Sequence, residues 1–187
     1  MKLRITSGSL RGRVITIPPK LEDFRPTLER FRQAIAESIK LNIVDAHVVD
    51  ICAGSGAFGF EMLSRGARQV DFVEDHRGRS KLIQHHAELF GTQQSCTIFG
   101  TSVTTFVQRS RSLYDIIYFD PPYDDSALAQ LTAQLFPLLA PKGILLYEHN
   151  RTTPTPEPSQ GVVLNRSKAI GSGVVDIYQR PLQTSAL

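Results

Sequence analysis

Two cysteines, Cys52 and Cys96, in 187 residues are too few for a disulfide framework, and neither stands at a metal-type spacing to its neighbours. No apolar run approaches the ~20 residues of a membrane span. The first residues, Met1-Lys2-Leu3-Arg4-Ile5-Thr6, lack the apolar core of an export signal. Histidines in ligand spacing are missing too. His85 and His86 are adjacent, which on a helix turns them about 100° apart instead of onto one face, and His47, His76 and His149 stand alone. These absences exclude a secreted knot, a membrane protein, a coiled coil and a repeat array. They make a cytoplasmic protein without a metal the expectation. What is present suits a globular chain: 41% hydrophobic and 21% charged residues. The length corresponds to one domain with a small appendage, and it can bury a core without staples.

The charge is uneven. Residues 1–40 hold nine Lys/Arg against four Asp/Glu, whereas residues 41–187 hold twelve against fourteen. A basic N-terminal segment of this kind suits a polyanion such as nucleic acid. A solvated basic surface is the plainer alternative.

Leu3 and Ile5, the turn-forming Ser7-Gly8-Ser9, and then Val14, Ile15 and Ile17 predict strand, turn and strand, with Arg11 and Arg13 near the tip. Thr27 is a candidate N-cap for a helix carrying Leu28, Phe31, Ile35 and Ile39. From residue 47 strands alternate with helices. Strands are expected at 48–51, 70–74, 95–99, 115–120 and 143–148; helices are expected to about Arg65, from about 78 to 90, at 103–109, and from about 126 to 139. Two last strands, at 162–164 and 174–178, have no helix between them and read as an antiparallel pair around Gly171-Ser172-Gly173. The expectation is a doubly wound α/β protein: a mostly parallel seven-stranded sheet, helices on both faces, a C-terminal antiparallel hairpin and a small N-terminal β-arm. A division into residues 1–40 (basic arm and helix) and 41–187 (main domain) follows.

Two constellations carry chemistry. Asp50-Ile51-Cys52-Ala53-Gly54-Ser55-Gly56-Ala57-Phe58-Gly59 follows a strand and opens a helix. Glycines permit a tight turn and close approach to a ligand, and the helix N-terminus offers free N–H groups. Glu74, 20 residues past Gly54 and ending the next strand, is placed to accept ribose hydroxyls. This pattern alone does not separate NAD from S-adenosylmethionine, and a ligand-free strand–helix turn is the bland reading. Cys52 lacks a motif partner that would make it a nucleophile, so a small buried residue is expected there.

The second constellation, Phe119-Asp120-Pro121-Pro122-Tyr123, ends the fourth parallel strand. Prolines stiffen the exit and remove two donors while keeping the carbonyls. A carboxylate, backbone acceptors and an aromatic ring then stand at the carboxyl edge, where open α/β sheets bind ligands. A planar base can stack on Tyr123 while its NH₂ donates to Asp120 and to the Pro121 or a nearby carbonyl. Holding both amine hydrogens frees a conjugated lone pair for attack, which is catalysis by positioning and electrostatics.

Together these features resemble class I S-adenosylmethionine-dependent methyltransferases that act on exocyclic amines. Further stretches are similar to the bacterial RsmD family of 16S ribosomal RNA guanine-N2 methyltransferases: Ile5 to Arg13, Arg25-Pro26-Thr27-Leu28-Glu29-Arg30-Phe31-Arg32, Ala53 to Ala57, and Leu63 to Ala67. The likeness runs from about residue 3 to 180. It implies a Rossmann-like fold with S-adenosylmethionine held by Asp50, Ala53, Gly54, Ser55, Gly56 and Glu74, with Thr101, Ser102 and Asp120 completing that site. It implies Asp120, Pro121, Pro122 and Tyr123 as the catalytic group, and Arg4, Arg11, Arg13, Arg25, Thr27 and Arg30 as the contacts to RNA. The implied partner is ribosomal RNA, naked or within a partly assembled small subunit, and the implied state a monomer. The chain departs from the pattern at Gln84-His85-His86, where relatives carry Asn, at Gly100-Thr101-Ser102, where Asp or Asn is common, and at Cys52. Other readings are DNA adenine-N6 methylation, usually served by an insert too large for 187 residues; another amino-group substrate; or a silent nucleic-acid-binding module. An NAD dehydrogenase has no use for Asp-Pro-Pro-Tyr.

Overall fold

The computed structural model describes residues 1–21, 29–122, 125–170 and 173–182. A seven-stranded sheet forms its centre. In chain order its strands are β3 (His47–Ile51), β4 (Gln69–Val73), β5 (Cys96–Phe99), β6 (Tyr114–Phe119), β7 (Leu139–Asn150), β8 (Val163–Ile170) and β9 (Gly173–Gln179), in spatial order β5-β4-β3-β6-β7-β9-β8. The first five run parallel, and β9 pairs antiparallel with both β7 and β8. The topology reverses between β3 and β6, so their carboxyl ends flank the crevice where such sheets bind ligands.

Buried strand residues alternate between two apolar layers. Val48, Tyr118 and Leu146 share one face with Phe58 and Phe60 of α2 (Ala57–Ser64), Ile83 of α3 (Arg77–Phe90) and Ile35 of α1 (Glu29–Ser38). Val49, Phe119 and Leu145 share the other with Phe106 of α4 (Val103–Arg109) and Leu135. The N-terminal hairpin of β1 (Lys2–Arg4) and β2 (Val14–Thr16) packs its buried Ile5, Ile15 and Ile17 into the first layer. Among the described residues no helix is long and apolar enough to cross a membrane.

Three expected elements differ, one of them β8, which runs over Val163–Ile170 instead of ending at 164. The helix read over 126–139 is two short ones, α5 (Ser126–Ala129) and α6 (Thr132–Leu135), followed by a 3₁₀ turn. Buried Thr132 donates its hydroxyl to the Ala129 carbonyl at 2.7 Å, and Leu131 and Gln134 close tight i−3 turns. Pro137 then denies the helix a donor. Strand β7 is also longer than expected. Leu139 pairs with Tyr114 and Ile144 with Ile116, so a bulge precedes the regular stretch.

On the second face, buried His149 of β7 donates to Asp176 of β9 at 2.9 Å and to the Asn150 carbonyl at 2.7 Å. Burial works against the charged ring, but these partners outweigh it and raise its pKa. The Asp176 pKa is lowered: burial opposes the carboxylate, and hydrogen bonds from His149 and Ser167 overcome it. The stability from His149 is therefore complete below its unfolded pKa of about 6.5 and is lost as pH rises through the raised folded value. That from Asp176 is lost in acid, as pH falls through its lowered value. His86 acts with the opposite sign to His149. Burial lowers its pKa, so it costs stability as pH falls. Only the first histidine is removed by His149→Gln. The difference in Tm between wild type and this variant is expected to be larger at pH 6 than at pH 9; a flat difference would contradict the ion pair.

Candidate active site

The glycine loop is built by backbone geometry. Cys52, Gly54 and Gly56 all have left-handed φ, at 62°, 55° and 75°. Gly56 is the N-cap of α2 and has no side chain to offer. A Cβ there would lie 3.1 Å from Ile83 and Phe60 and 3.2 Å from Phe72, so packing as well as φ favours glycine. The missing cap is supplied from β3: the Asp50 carboxylate accepts the Gly59 N–H, in the first turn of α2, at 2.9 Å. Asp50 is 2% exposed. Burial pushes its carboxyl well up, Asp120 and Glu74 add to this, and the Gly59 bond and Arg32 oppose it.

Glu74 follows β4 and is buried. Its Oε2 accepts the Gly54 N–H at 2.8 Å, while Oε1 accepts from the His76 backbone at 2.9 Å and Arg79 Nε at 3.0 Å. The acid is therefore tied directly to the glycine loop. Ala53 is bound to the same strand, donating to the Val73 carbonyl at 3.1 Å, and Ser55, within the loop, is buried. Thr101 and Ser102 follow β5, whose last residue Phe99 accepts the N–H of Glu74 at 3.1 Å and that of Thr101 at 2.9 Å. The Ser102 hydroxyl accepts the Thr105 N–H at 3.2 Å as the N-cap of α4.

Asp120 follows β6, half-buried, and its N–H reaches the Ile51 carbonyl of β3 at 3.4 Å. Pro121 is buried and Pro122 exposed; the Pro122 carbonyl accepts the Asp125 N–H at 3.0 Å. Tyr123, Arg25 and Thr27 lie outside the described residues. Cys52, partly buried, has its thiol pushed well up by burial and then by Asp120 and Glu74, as suits an inert cysteine.

The basic residues are split. Arg4, Arg11, Arg13 and Arg30 are all exposed. The hairpin tip is stapled to the far end of α2: Ser9 and Leu10 donate to the Ser64 carbonyl and hydroxyl at 2.8 and 2.9 Å. Eight residues of helix, about 12 Å at 1.5 Å each, separate that tip from the glycine loop. Arg11 and Arg13 therefore stand away from Asp120, whereas Arg30 lies in the first turn of α1.

Two residues of this region escape sequence reading. Arg32 is 1% exposed, donates to the Arg4 carbonyl at 3.0 Å, and faces Glu61, Tyr118 and Asp50 from α1. Burial lowers its pKa. Glu148, 5% exposed at the end of β7, accepts from Tyr118 at 2.5 Å. A buried Arg in an amphipathic helix, or a Glu after an apolar run, has no local pattern that separates it from a surface charge.

Comparison with known proteins gives a consistent picture. The family model described as conserved hypothetical protein 95 matches residues 3–179. The ribosomal RNA small subunit methyltransferase D of Escherichia coli K12 is 29% identical over 185 residues, covering 97% of this chain and 92% of that protein. The protein of the same name from Haemophilus influenzae is 26% identical over 183 residues, covering 95% and 94%. A solved structure described as a putative methyltransferase, yhhF, from Escherichia coli superposes with a TM-score of 0.83 at 27% identity, covering 98% of this chain and 100% of that one.

Proposed function

The chain belongs to the RsmD family, whose model is the one described as conserved hypothetical protein 95, and we propose that it transfers a methyl group from S-adenosylmethionine to the exocyclic N2 amine of a guanine in small-subunit ribosomal RNA. The observation that carries this reading is the convergence of Asp50, Glu74 and Asp120 at the carboxyl ends of three adjacent strands, beside a left-handed glycine loop. Burial raises the Asp50 pKa, and the nearby Asp120 and Glu74 add to the rise. Half-buried Asp120 and the acid Glu74, tied to the glycine loop, suit a ligand with cationic and hydroxyl groups, so the residues present fit S-adenosylmethionine.

When bound, that cofactor supplies an electrophilic methyl group. The rest falls to the chain. Asp50, Ala53, Gly54, Ser55 and Gly56 would hold the methionine portion, Glu74 the ribose, and Thr101, with Ser102, the region of the base. Asp120 would accept one amine hydrogen of the target base. The second acceptor would be the Pro121 carbonyl or a nearby backbone carbonyl. Tyr123 would stack on the base. The target must leave its stack to reach Asp120, which costs a few kcal/mol and least for a loop base. The nucleoside content of ribosomal RNA tests this: a strain lacking the protein should lack one N2-methylguanosine, and the gene in trans should restore it. An unchanged nucleoside profile would refute the substrate.

Arg4, Arg11, Arg13 and Arg30, with Arg25 and Thr27, would contact RNA phosphates. With Arg11 and Arg13 standing at the far end of α2, their contacts would fall beyond the target nucleotide. A substrate of this breadth fits a folded RNA or a partly assembled subunit, approached by one copy of the chain. Replacing Arg11 and Arg13 by alanine should weaken RNA binding and reduce the salt slope by about two contacts' worth. Cofactor affinity should stay unchanged, and equal loss of both affinities in calorimetry would sink this assignment.

A further inference from the structure

Of the adjacent histidines on α3, His85 is exposed and His86 is buried against the N-terminal arm, at 2% exposure. The partners of His86 fix its tautomer. Nδ1 lies 2.9 Å from the Leu82 carbonyl, one turn earlier, and Nε2 accepts the Thr16 N–H of β2 at 3.1 Å. A carbonyl needs a donor and an N–H needs an acceptor, so the ring is neutral with its proton on Nδ1. The register of the arm explains why Thr16 needs this partner. Ile17 donates to the Met1 carbonyl at 2.8 Å and Ile5 to the Arg13 carbonyl at 2.9 Å, so odd positions around β2 turn inward to β1. The Thr16 N–H therefore points to the open edge of the pair, and His86 closes that edge.

The same stretch meets α3 again further on. Leu21, in the 3₁₀ turn Pro19–Leu21, sits on Gly78, where a Cβ would lie 2.8 Å from Leu21 Cδ2. Gly78 and His86 are eight residues apart, about 12 Å along the helix. The N-cap of that helix is His76, whose N–H is held by Glu74 at 2.9 Å. One helix thus carries the return strand of the arm and meets the acid of the cofactor site. Arg13 stands three residues before Thr16, between that strand and the tip stapled to Ser64. We propose that His86 is a positioning residue for RNA: in its neutral form it latches β2 onto α3 and so holds the basic arm in a fixed place relative to Glu74. This rests on the reading of Arg11 and Arg13 as contacts to RNA phosphates.

Protonation would place a second N–H on Nε2, facing the Thr16 N–H, and two donors cannot bond. Burial lowers the His86 pKa, the Leu82 carbonyl opposes this, and His85, with ring centroids 5.4 Å apart, lowers it further. On the arm, exposed Lys2 stands opposite Thr16 on β1. Its charge also disfavours a second cation. The latch is therefore closed at neutral pH and opens in acid, below the ordinary histidine value of about 6.5.

The experiment compares His86→Phe with His86→Gln. Phenylalanine keeps a ring without an acceptor, whereas the glutamine carbonyl keeps an acceptor in place of Nε2. In His86→Phe the Thr16 amide should exchange with deuterium on the order of tenfold faster, and RNA affinity should fall on the order of tenfold, because a buried N–H loses its partner. His86→Gln should keep both near the wild-type values. Cofactor affinity should stay within a few-fold in either variant; a parallel loss would assign His86 to general stability and overturn the proposal. Once Arg11 and Arg13 are replaced by alanine, His86→Phe should cost little further RNA affinity, since it acts through the arm. Full additivity, or wild-type RNA affinity in His86→Phe, would overturn the proposal.

Two measurements follow the proton itself. Nitrogen-15 NMR of the wild type should show Nε2 unprotonated at neutral pH. On acidification, wild-type RNA affinity should decline relative to His86→Gln, which has no proton to gain. A proton on Nε2 at neutral pH, or parallel pH profiles, would overturn the proposal. A wild-type protein that binds no RNA would refute the functional reading, while Thr16 exchange and the nitrogen signal still decide whether His86 holds β2.

Discussion

Asp120→Ala is expected to reduce methyl transfer by about a thousandfold, on the scale of losing one preorganised electrostatic partner, or about 4 kcal/mol of barrier. The size follows from what the carboxylate does. An amine conjugated into a purine ring is a poor nucleophile until its hydrogens are held and its lone pair freed. Asp120 stands where β6 leaves the sheet, its backbone tied to Ile51 and its exit stiffened by Pro121 and Pro122. Asp120→Asn should fall nearly as far, because its NH₂ presents donors where the amine needs an acceptor. Cofactor affinity should stay within a few-fold in both variants, since Glu74, Asp50 and the glycine loop are bonded to one another independently of Asp120. Loss of cofactor binding parallel to the loss of turnover would move Asp120 from chemistry to cofactor retention.

Glu61→Ala should be the most destabilising change outside the sheet. Glu61 is 0% exposed and accepts from the Thr6 N–H at 2.9 Å, the Thr6 hydroxyl at 2.6 Å and Arg65 Nε at 3.0 Å. Arg65 also reaches Glu37 on α1 at 2.6 Å. Burial opposes its charge, and the two glutamates more than restore it. Removing Glu61 leaves two donors of Thr6 and one of Arg65 without their acceptor and frees the hairpin root. Breaking a buried pair in this way costs about 3 kcal/mol or more. In a chain of this size that corresponds to a fall in Tm of roughly 6–12 °C. A drop below roughly 2 °C in a thermal melt would mean that Ile5, Ile15 and Ile17 hold the arm without the network.

The same arm shows what sequence reading reaches. Its strands and its basic tip follow from composition and turn residues. The manner of docking does not. Gly8 has φ of 76°, and a Cβ there would lie 1.6 Å from the Ser64 carbonyl oxygen, so the turn presses directly on the end of α2. That contact joins residues 56 apart and has no local signature. Likewise the parallel strands were legible from apolar runs between helix signals, and the Asp50, Glu74 and Asp120 positions from their place at strand ends. The break at Thr132 was hidden because a buried hydroxyl and a surface one look alike in sequence. Asp50 was legible as a candidate ligand residue but not as the cap of α2, a task that arises only once β3 and α2 meet. Glu148 stayed invisible because its significance lies in the side chain of Tyr118, on the neighbouring strand.

The most direct measurement is transfer of labelled methyl from S-adenosylmethionine by the purified protein to small-subunit ribosomal RNA of a strain lacking it, naked and in 30S particles, with digestion to nucleosides. Label in N2-methylguanosine, absent with Asp120→Ala, is the expected result. Label confined to N6-methyladenosine, or none in either substrate despite cofactor binding, would contradict the assignment.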